Sequence, residues 1–146
     1  MAAADDTALH PSALDAYPIP DRLRERLLRF VRVDDGCWRW AGGTRVHGGY
    51  VQVRHGSGRK QLAHRLVYSH AVAPIPEGMQ LDHLCRVTDC CRPDHLEAVT
   101  PAENLRRRDD ARRKRETERK AEVDYWRTRA LRAEALLRDA RQVVSR

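Results

Sequence analysis

The sequence predicts an α+β fold: a small β-containing domain, led by a helix and a hairpin and followed by a long basic helix. Three observations carry this. Short apolar runs broken by Gly-containing turns lie between residues 34 and 83, the pattern of strands and a hairpin. From Pro101 to Arg146 there is no Gly and no further Pro, so nothing in the chain stops a helix there. The charge is also split unevenly. Residues 1–100 carry 13 Lys and Arg against 12 Asp and Glu, whereas residues 101–146 carry 15 against 9.

Residues 1–20, ending in "YPIP", read as mostly disordered. In "DRLRERLLRFV" (21–31), Leu23, Leu27, Leu28 and Val31 recur at helical spacing, with Asp21 as N-cap. "DDGCWRWAG" (34–42) reads as a turn at Asp35-Gly36 entering a strand that holds Cys37, Trp38 and Trp40. "GGYVQVRHGSGRKQLAH" (48–64) reads as a hairpin turning at residues 55–58. "AHRLVYSHAV" (63–72) predicts a helix stopped by Pro74 and Pro76. A short strand ends near Asp82-His83, a cysteine-bearing loop follows, and "PDHLEAV" (93–99) predicts a short helix with Pro93 in its first turn. Thr100, Pro101 and Glu103 form a capping-box start for the last helix. Its distal half places Val123, Trp126, Ala130, Ala133, Leu137, Ala140 and Val144 in a heptad seam. That seam suits either a short coiled coil making a homodimer or packing onto the domain. The domain boundaries expected are therefore 1–20, 21–104 and 105–146.

The bulk numbers narrow the function. The net charge of +7 lies almost wholly in the tail, which suits a polyanion such as nucleic acid or an anionic membrane. "MAAADDTAL" lacks a basic start and an apolar run, and no stretch approaches the ~18 apolar residues of a membrane span. The expectation is a cytoplasmic protein with no membrane partner, in which four cysteines serve as ligands or core residues rather than disulfides.

The chemistry concentrates in "LDHLCRVTDCCRPDHLEAVT" (81–100). On an extended chain Asp82 and His83 point to opposite faces. One can bind a metal while the other addresses a substrate. If the following loop and helix fold over the strand, His95 returns beside Asp82 and the two give an oxygen and a nitrogen ligand to one Mg2+, Mn2+ or Zn2+ ion. His83 is then free as a general base activating water for phosphodiester hydrolysis. Cys85 and Cys90 stand at zinc-ligand spacing but half-fill a tetrahedral site. Cys37 and His64 are the natural candidates to complete a structural Zn2+ site. A second arrangement recruits His95 to Cys85 and Cys90, away from Asp82, and a third makes the cysteines buried thiols. Cys91 reads as a small core residue, and Trp38 and Trp40 as core.

"GCWRWAGG", "GGYVQV", "LAHRLVY", "PIPEGMQLDHLC" and "CRPDHLEAVTPAENLRR", in that order, resemble the HNH endonuclease family, in the branch common in actinobacterial phages and their hosts. The resemblance covers residues 36–108. It implies a ββα-metal finger and metal-dependent DNA cleavage, with His83 as general base and Asp82 and His95 as metal ligands. One position departs: the family's asparagine before the proline, which ties the loop to the strand and orients the base, is Arg92 here. Arginine cannot accept a hydrogen bond. Either the orienting role passes elsewhere or Arg92 has become a phosphate contact. The DNA contacts expected are Arg54, Arg59 and Lys60 on the hairpin, Arg65, Arg92, and Arg106, Arg107 and Arg108 in the tail. The rival reading is a DNA-binding module with a zinc-stabilised HNH-like fold that does not cut.

Overall fold

The computed structural model describes residues 7–56 and 58–144, with side chains up to residue 141. It divides into two units, Met1–Pro101 and Ala102–Arg146.

The first unit is a set of three small antiparallel sheets and two helices. Strand β1 (Thr7–Ala8) pairs with β2 (Val31–Asp34), which pairs with β3 (Cys37–Trp40). Helix α1 (Asp21–Phe30) lies between β1 and β2 in sequence. The β2–β3 turn is two residues, Asp35 and Gly36, at φ 46° and 72°. Positive φ at both positions is the hairpin turn whose twist matches its strands, and Asp-Gly is the dipeptide that tolerates it. The second sheet holds β4 (Thr44–Arg45), β5 (Val51–His55) and β6 (Arg59–Leu62), and β6 passes directly into helix α2 (Ala63–Ala71). The third is β7 (Gln80–His83) with β8 (Leu96–Val99), joined by the cysteine loop and a 3-10 turn at Pro93–His95.

One core serves the helices and the first two sheets. Leu23 and Leu27 of α1, Trp38 and Trp40 of β3, Val51 and Val53 of β5, and Leu66 and Val67 of α2 are all buried in it. Burial of side chains this size contributes roughly 1.5–3 kcal/mol each. Phe30 stacks on Trp40 at 6.3 Å. Trp38 and Trp40 are thus core, as is Cys91, which has no exposed surface.

Three expectations are corrected. The N-terminal twenty residues are not disordered from residue 7 on: β1 pairs, a 3-10 turn forms at Pro11–Leu14, and Leu9, Leu14 and Ile19 are buried. Residues 1–6 lie outside the described residues. The helix ends at Phe30, and Val31, expected to close its apolar face, opens β2 instead. Residues 96–99 are strand, not helix. Leu96 and Val99 at its two ends are buried, Glu97 is exposed, and the main chain finds its bonds across β7 rather than along a helix.

The second unit is helix α3, which begins at Pro101 and runs to Val144, 44 residues and therefore about 66 Å of rise. Side-chain pairs three and four residues apart support it: Glu103 with Arg106 (2.8 Å) and Arg107 (2.7 Å), Asp109 with Arg112 (3.3 Å). Val123, Tyr125, Trp126, Leu131, Leu136 and Leu137 are exposed.

Candidate active site and metal centre

The β7–β8 hairpin places the histidines. Asp82 pairs with Glu97 and His83 with Leu96, and the Leu84 N–H donates to the His95 carbonyl at 2.9 Å. The Arg86 N–H then returns to the His83 carbonyl at 3.0 Å, a tight turn that Arg86 completes at φ 61°. That turn starts the loop back toward β3. The Cys91 N–H donates to the Trp38 carbonyl at 2.9 Å and the Trp40 N–H to the Asp89 carbonyl at 3.4 Å. Asp89, buried, is held by Arg45 at 3.0 Å and Arg39 at 3.7 Å.

His83 is buried and oriented. Its Nε2–H donates to the Cys90 carbonyl at 3.0 Å. A carbonyl only accepts, so this bond fixes the tautomer and leaves Nδ1 with a free lone pair. The His64 ring meets His83 edge-on at 4.8 Å, and Tyr50 lies 5.9 Å from His83 and 5.3 Å from His64. Burial lowers the His83 pKa, partly opposed by the Cys90 carbonyl and by Asp82 and Asp89. His64 falls to about 3, through burial first and then the neighbouring His83 and Arg65. Both rings are neutral at pH 7. A neutral imidazole with a fixed lone pair can take a proton, as a base must.

The second site is a cysteine–histidine set. Cys37 at the start of β3, Cys85 and Cys90 in the loop, and His95 in the 3-10 turn bring their ligand atoms within 4.8 Å of one another. The His95 Nδ1 is 3.6 Å from the Cys37 Sγ and 3.7 Å from the Cys90 Sγ. With Zn–S ~2.3 Å and Zn–N ~2.0–2.1 Å, a tetrahedron has an S···N edge of roughly 3.6 Å, so the spacing fits zinc. Burial and the adjacent thiols push Cys37 up to about 12. The Cys37 thiol therefore reaches the thiolate form near neutral pH only with a cation beside it. Flanking residues clamp the set. Arg92 Nη1 donates to the Gly36 carbonyl at 3.0 Å, and Arg92 also bonds Asp94 at 3.0 and 3.2 Å. Tyr17 donates to the same carboxylate.

The sequence-predicted residues are thus redistributed. Cys37, Cys85 and Cys90 meet, and His95 joins them as in the second arrangement, while the His64 of the first stands beside His83 instead. Of the expected Asp82–His95 ligand pair, each residue has a described partner elsewhere. His95 faces the cysteines, and the buried Asp82 carboxylate is paired with Arg86 at 2.7 Å. The asparagine role left open by Arg92 falls to the Cys90 main chain, while Arg92 braces Gly36 and Asp94. Arg54, Arg59 and Lys60 are exposed on the hairpin, Arg65 is half-buried on α2, and Arg106 and Arg107 share Glu103 while Arg108 is exposed on α3. Sequence reasoning missed Tyr50 and the Cys90 carbonyl. Only the aromatic after "HGG" could have signalled the first, and nothing could have signalled the second.

These features describe a small domain with a cysteine–histidine set that could hold a metal ion and, beside it, two buried imidazoles. The HNH endonuclease family profile matches residues 61–106, which include His64, His83, Cys85, Cys90 and His95, and the chain belongs to that family. Two phage proteins are similar to it. Protein 2.8 of Escherichia phage T7 is 39% identical over 84 residues, 56% of this chain and 56% of that protein. The uncharacterized gene 5.3 protein of Enterobacteria phage T3 is 31% identical over 83 residues, 53% of this chain and 82% of that protein. The chain thus spans little more than half the length of the T7 relative. No solved structure matches.

Proposed function

We propose that the protein is a metal-dependent endonuclease that hydrolyses DNA phosphodiester bonds with His83 as general base. The observation that supports this most is the single bond from His83 Nε2–H to the Cys90 carbonyl, which presets Nδ1 as the proton acceptor. His83 would take the proton of the attacking water, and its burial keeps the ring neutral until it does. A divalent ion, when bound, stabilises the charge that develops on the phosphate and the leaving oxygen. In this reading His95 would serve the cysteine set rather than join Asp82 at that ion. Cys37, Cys85, Cys90 and His95 would hold a structural Zn2+ that fixes the loop carrying the Cys90 carbonyl. The element order β7, β8, α3 supports reading this part of the chain as a ββα-metal finger. The exposed α3 seam suits a homodimer, whose mass in solution would be twice 16.8 kDa.

The test is plasmid cleavage with Mg2+, Mn2+ or Zn2+ by the wild type and by His83→Ala. The expected loss in the variant is ~10²–10⁴-fold, the usual contribution of a positioned base. Undiminished cleavage by the variant sinks this role. One observation favours the rival, a zinc-stabilised module that binds DNA without cutting: the Asp82 carboxylate is engaged by Arg86. Duplex binding with no cleavage in any of the three ions would select that reading.

A further inference from the structure

Two depressions on the first unit join through shared walls, and cations line both. The larger, about 520 Å³, is lined by Arg22, Arg26, Arg54, His55 and His70, among others. The smaller, about 310 Å³, shares Arg26 and Arg54 and adds Lys60, Gln52 and the backbone of Gly42 and Gly43. Among the described residues no Asp or Glu lines either one. Arg22, Arg54 and Lys60 are exposed, and among the described residues no carboxylate lies at ion-pair distance from any of the three. The Arg26 guanidinium lies 5.4 Å over the Trp40 ring, which holds it in place without neutralising it. The floor is kept low by glycine. A Cβ on Gly43, at φ 99°, would come within 2.7 Å of the Gln52 carbonyl, and one on Gly42 within 2.7 Å of Phe30. Uncompensated like charges converging on a trough floored by backbone need an anion to offset them.

The trough points back toward the base. Helix α2 carries His64, against His83, near its start, and His70, which lines the trough, near its end. Six residues of helix rise ~9 Å. Strand β5 runs alongside, with Tyr50 just before it near the base and His55 at its far end, ~17 Å away. At 3.4 Å of axis per nucleotide on one strand, that is about three to five nucleotides.

We infer that the trough between α1 and the β5–β6 hairpin, walled by Arg22, Arg26, Arg54 and Lys60, binds the phosphate backbone of duplex DNA a few nucleotides from the bond presented to His83. This rests on the nuclease reading only for which bond is cut; the backbone contact itself does not need cleavage. It is non-specific, because the trough offers cations to phosphates rather than a defined set of donors to base edges.

The test uses full-length protein carrying His83→Ala, so that no cutting intervenes, and a fluorescein-labelled 20-base-pair DNA duplex followed by anisotropy across a NaCl series. Adding R22Q, R54Q and K60Q together is expected to weaken binding at least tenfold. It should also flatten the slope of log K against log[salt] by about 2.7, at ~0.9 per lost phosphate contact. The charge-keeping R22K, R54K and K60R triple should restore the slope. An unchanged slope in the Gln triple overturns the proposal, and so does a Lys/Arg triple that fails to restore it while melting like the parent. Tighter binding of duplex RNA, with the same sensitivity to the triple, would overturn the assignment to DNA. If the wild type leaves plasmid intact yet the Gln triple flattens the slope, the trough stands and the nuclease reading falls.

Discussion

His83 and His95 sit at the same end of one hairpin, where the main chain of residue 95 bonds that of residue 84, yet they face different tasks. His95 turns to three thiols and takes a ligand's position. His83 turns to a carbonyl and a second imidazole and keeps a free nitrogen. The sequence around them is nearly the same, an Asp-His pair each time. What separates them is the partner that the loop delivers: a soft sulfur on one side, a hard oxygen on the other. Residue type alone therefore does not assign a histidine's role; the neighbour's chemistry does.

The sharpest way to break this contrast is to remove a thiol. Cys85→Ser or Cys90→Ser should drop zinc content from one ion per chain to none. Melting should fall by more than roughly 15 °C, since such an ion contributes several kcal/mol of folding energy. Metal analysis with a melting curve reads both, and a variant that keeps its melting temperature without zinc would remove the metal centre from the account.

The buried His64 comes next. Its pKa is 6.5 in the unfolded chain and about 3 folded. Below pH 6.5 the unfolded chain takes up a proton that the folded chain refuses, so this stabilisation is full above that pH and is lost as pH falls toward 3. At pH 5 the loss is roughly 2 kcal/mol. His64→Phe should melt with a shallower pH dependence between 7 and 5, and parallel curves for the two proteins would contradict the burial argument.

Smaller again is Arg92→Ala. Losing its bonds to Gly36 and Asp94 should cost about 1–2 kcal/mol in denaturant titrations. Cleavage should change only a few-fold, because the Cys90 carbonyl rather than Arg92 orients the base; a loss as deep as that of His83→Ala would return the orienting role to Arg92. Tyr17→Phe removes a single bond to Asp94 and should cost about 0.5–1.5 kcal/mol by the same measurement.

Much of this was legible in the sequence, for identifiable reasons. The hairpins announced themselves through Asp35-Gly36 and the Gly-rich turn after His55, and α2 through its proline stop. The long helix followed from the absence of breakers after Pro101. The N-terminal segment misled because its anchors, Leu9, Leu14 and Ile19, are spaced irregularly and show no period. "LEAV" misled because four residues cannot distinguish a strand from a helical turn when the partner strand lies across a loop. In the site, Cys85 and Cys90 could be read from their spacing and Cys37 as a candidate to complete the set. The sequence left His64 and His95 as alternatives for the last position, because the two are equivalent until the chain folds and sets one against His83 and the other against sulfur.

Cys90 is where the two sites share one residue: its sulfur lies in the cysteine–histidine set and its carbonyl holds His83. Every amino acid carries that carbonyl, so no point substitution can delete the group that orients His83. Drift in this loop would therefore be silent at His83 until it shifted the path of the backbone, and comparison of residue identities would give no warning that the geometry around that ring had gone.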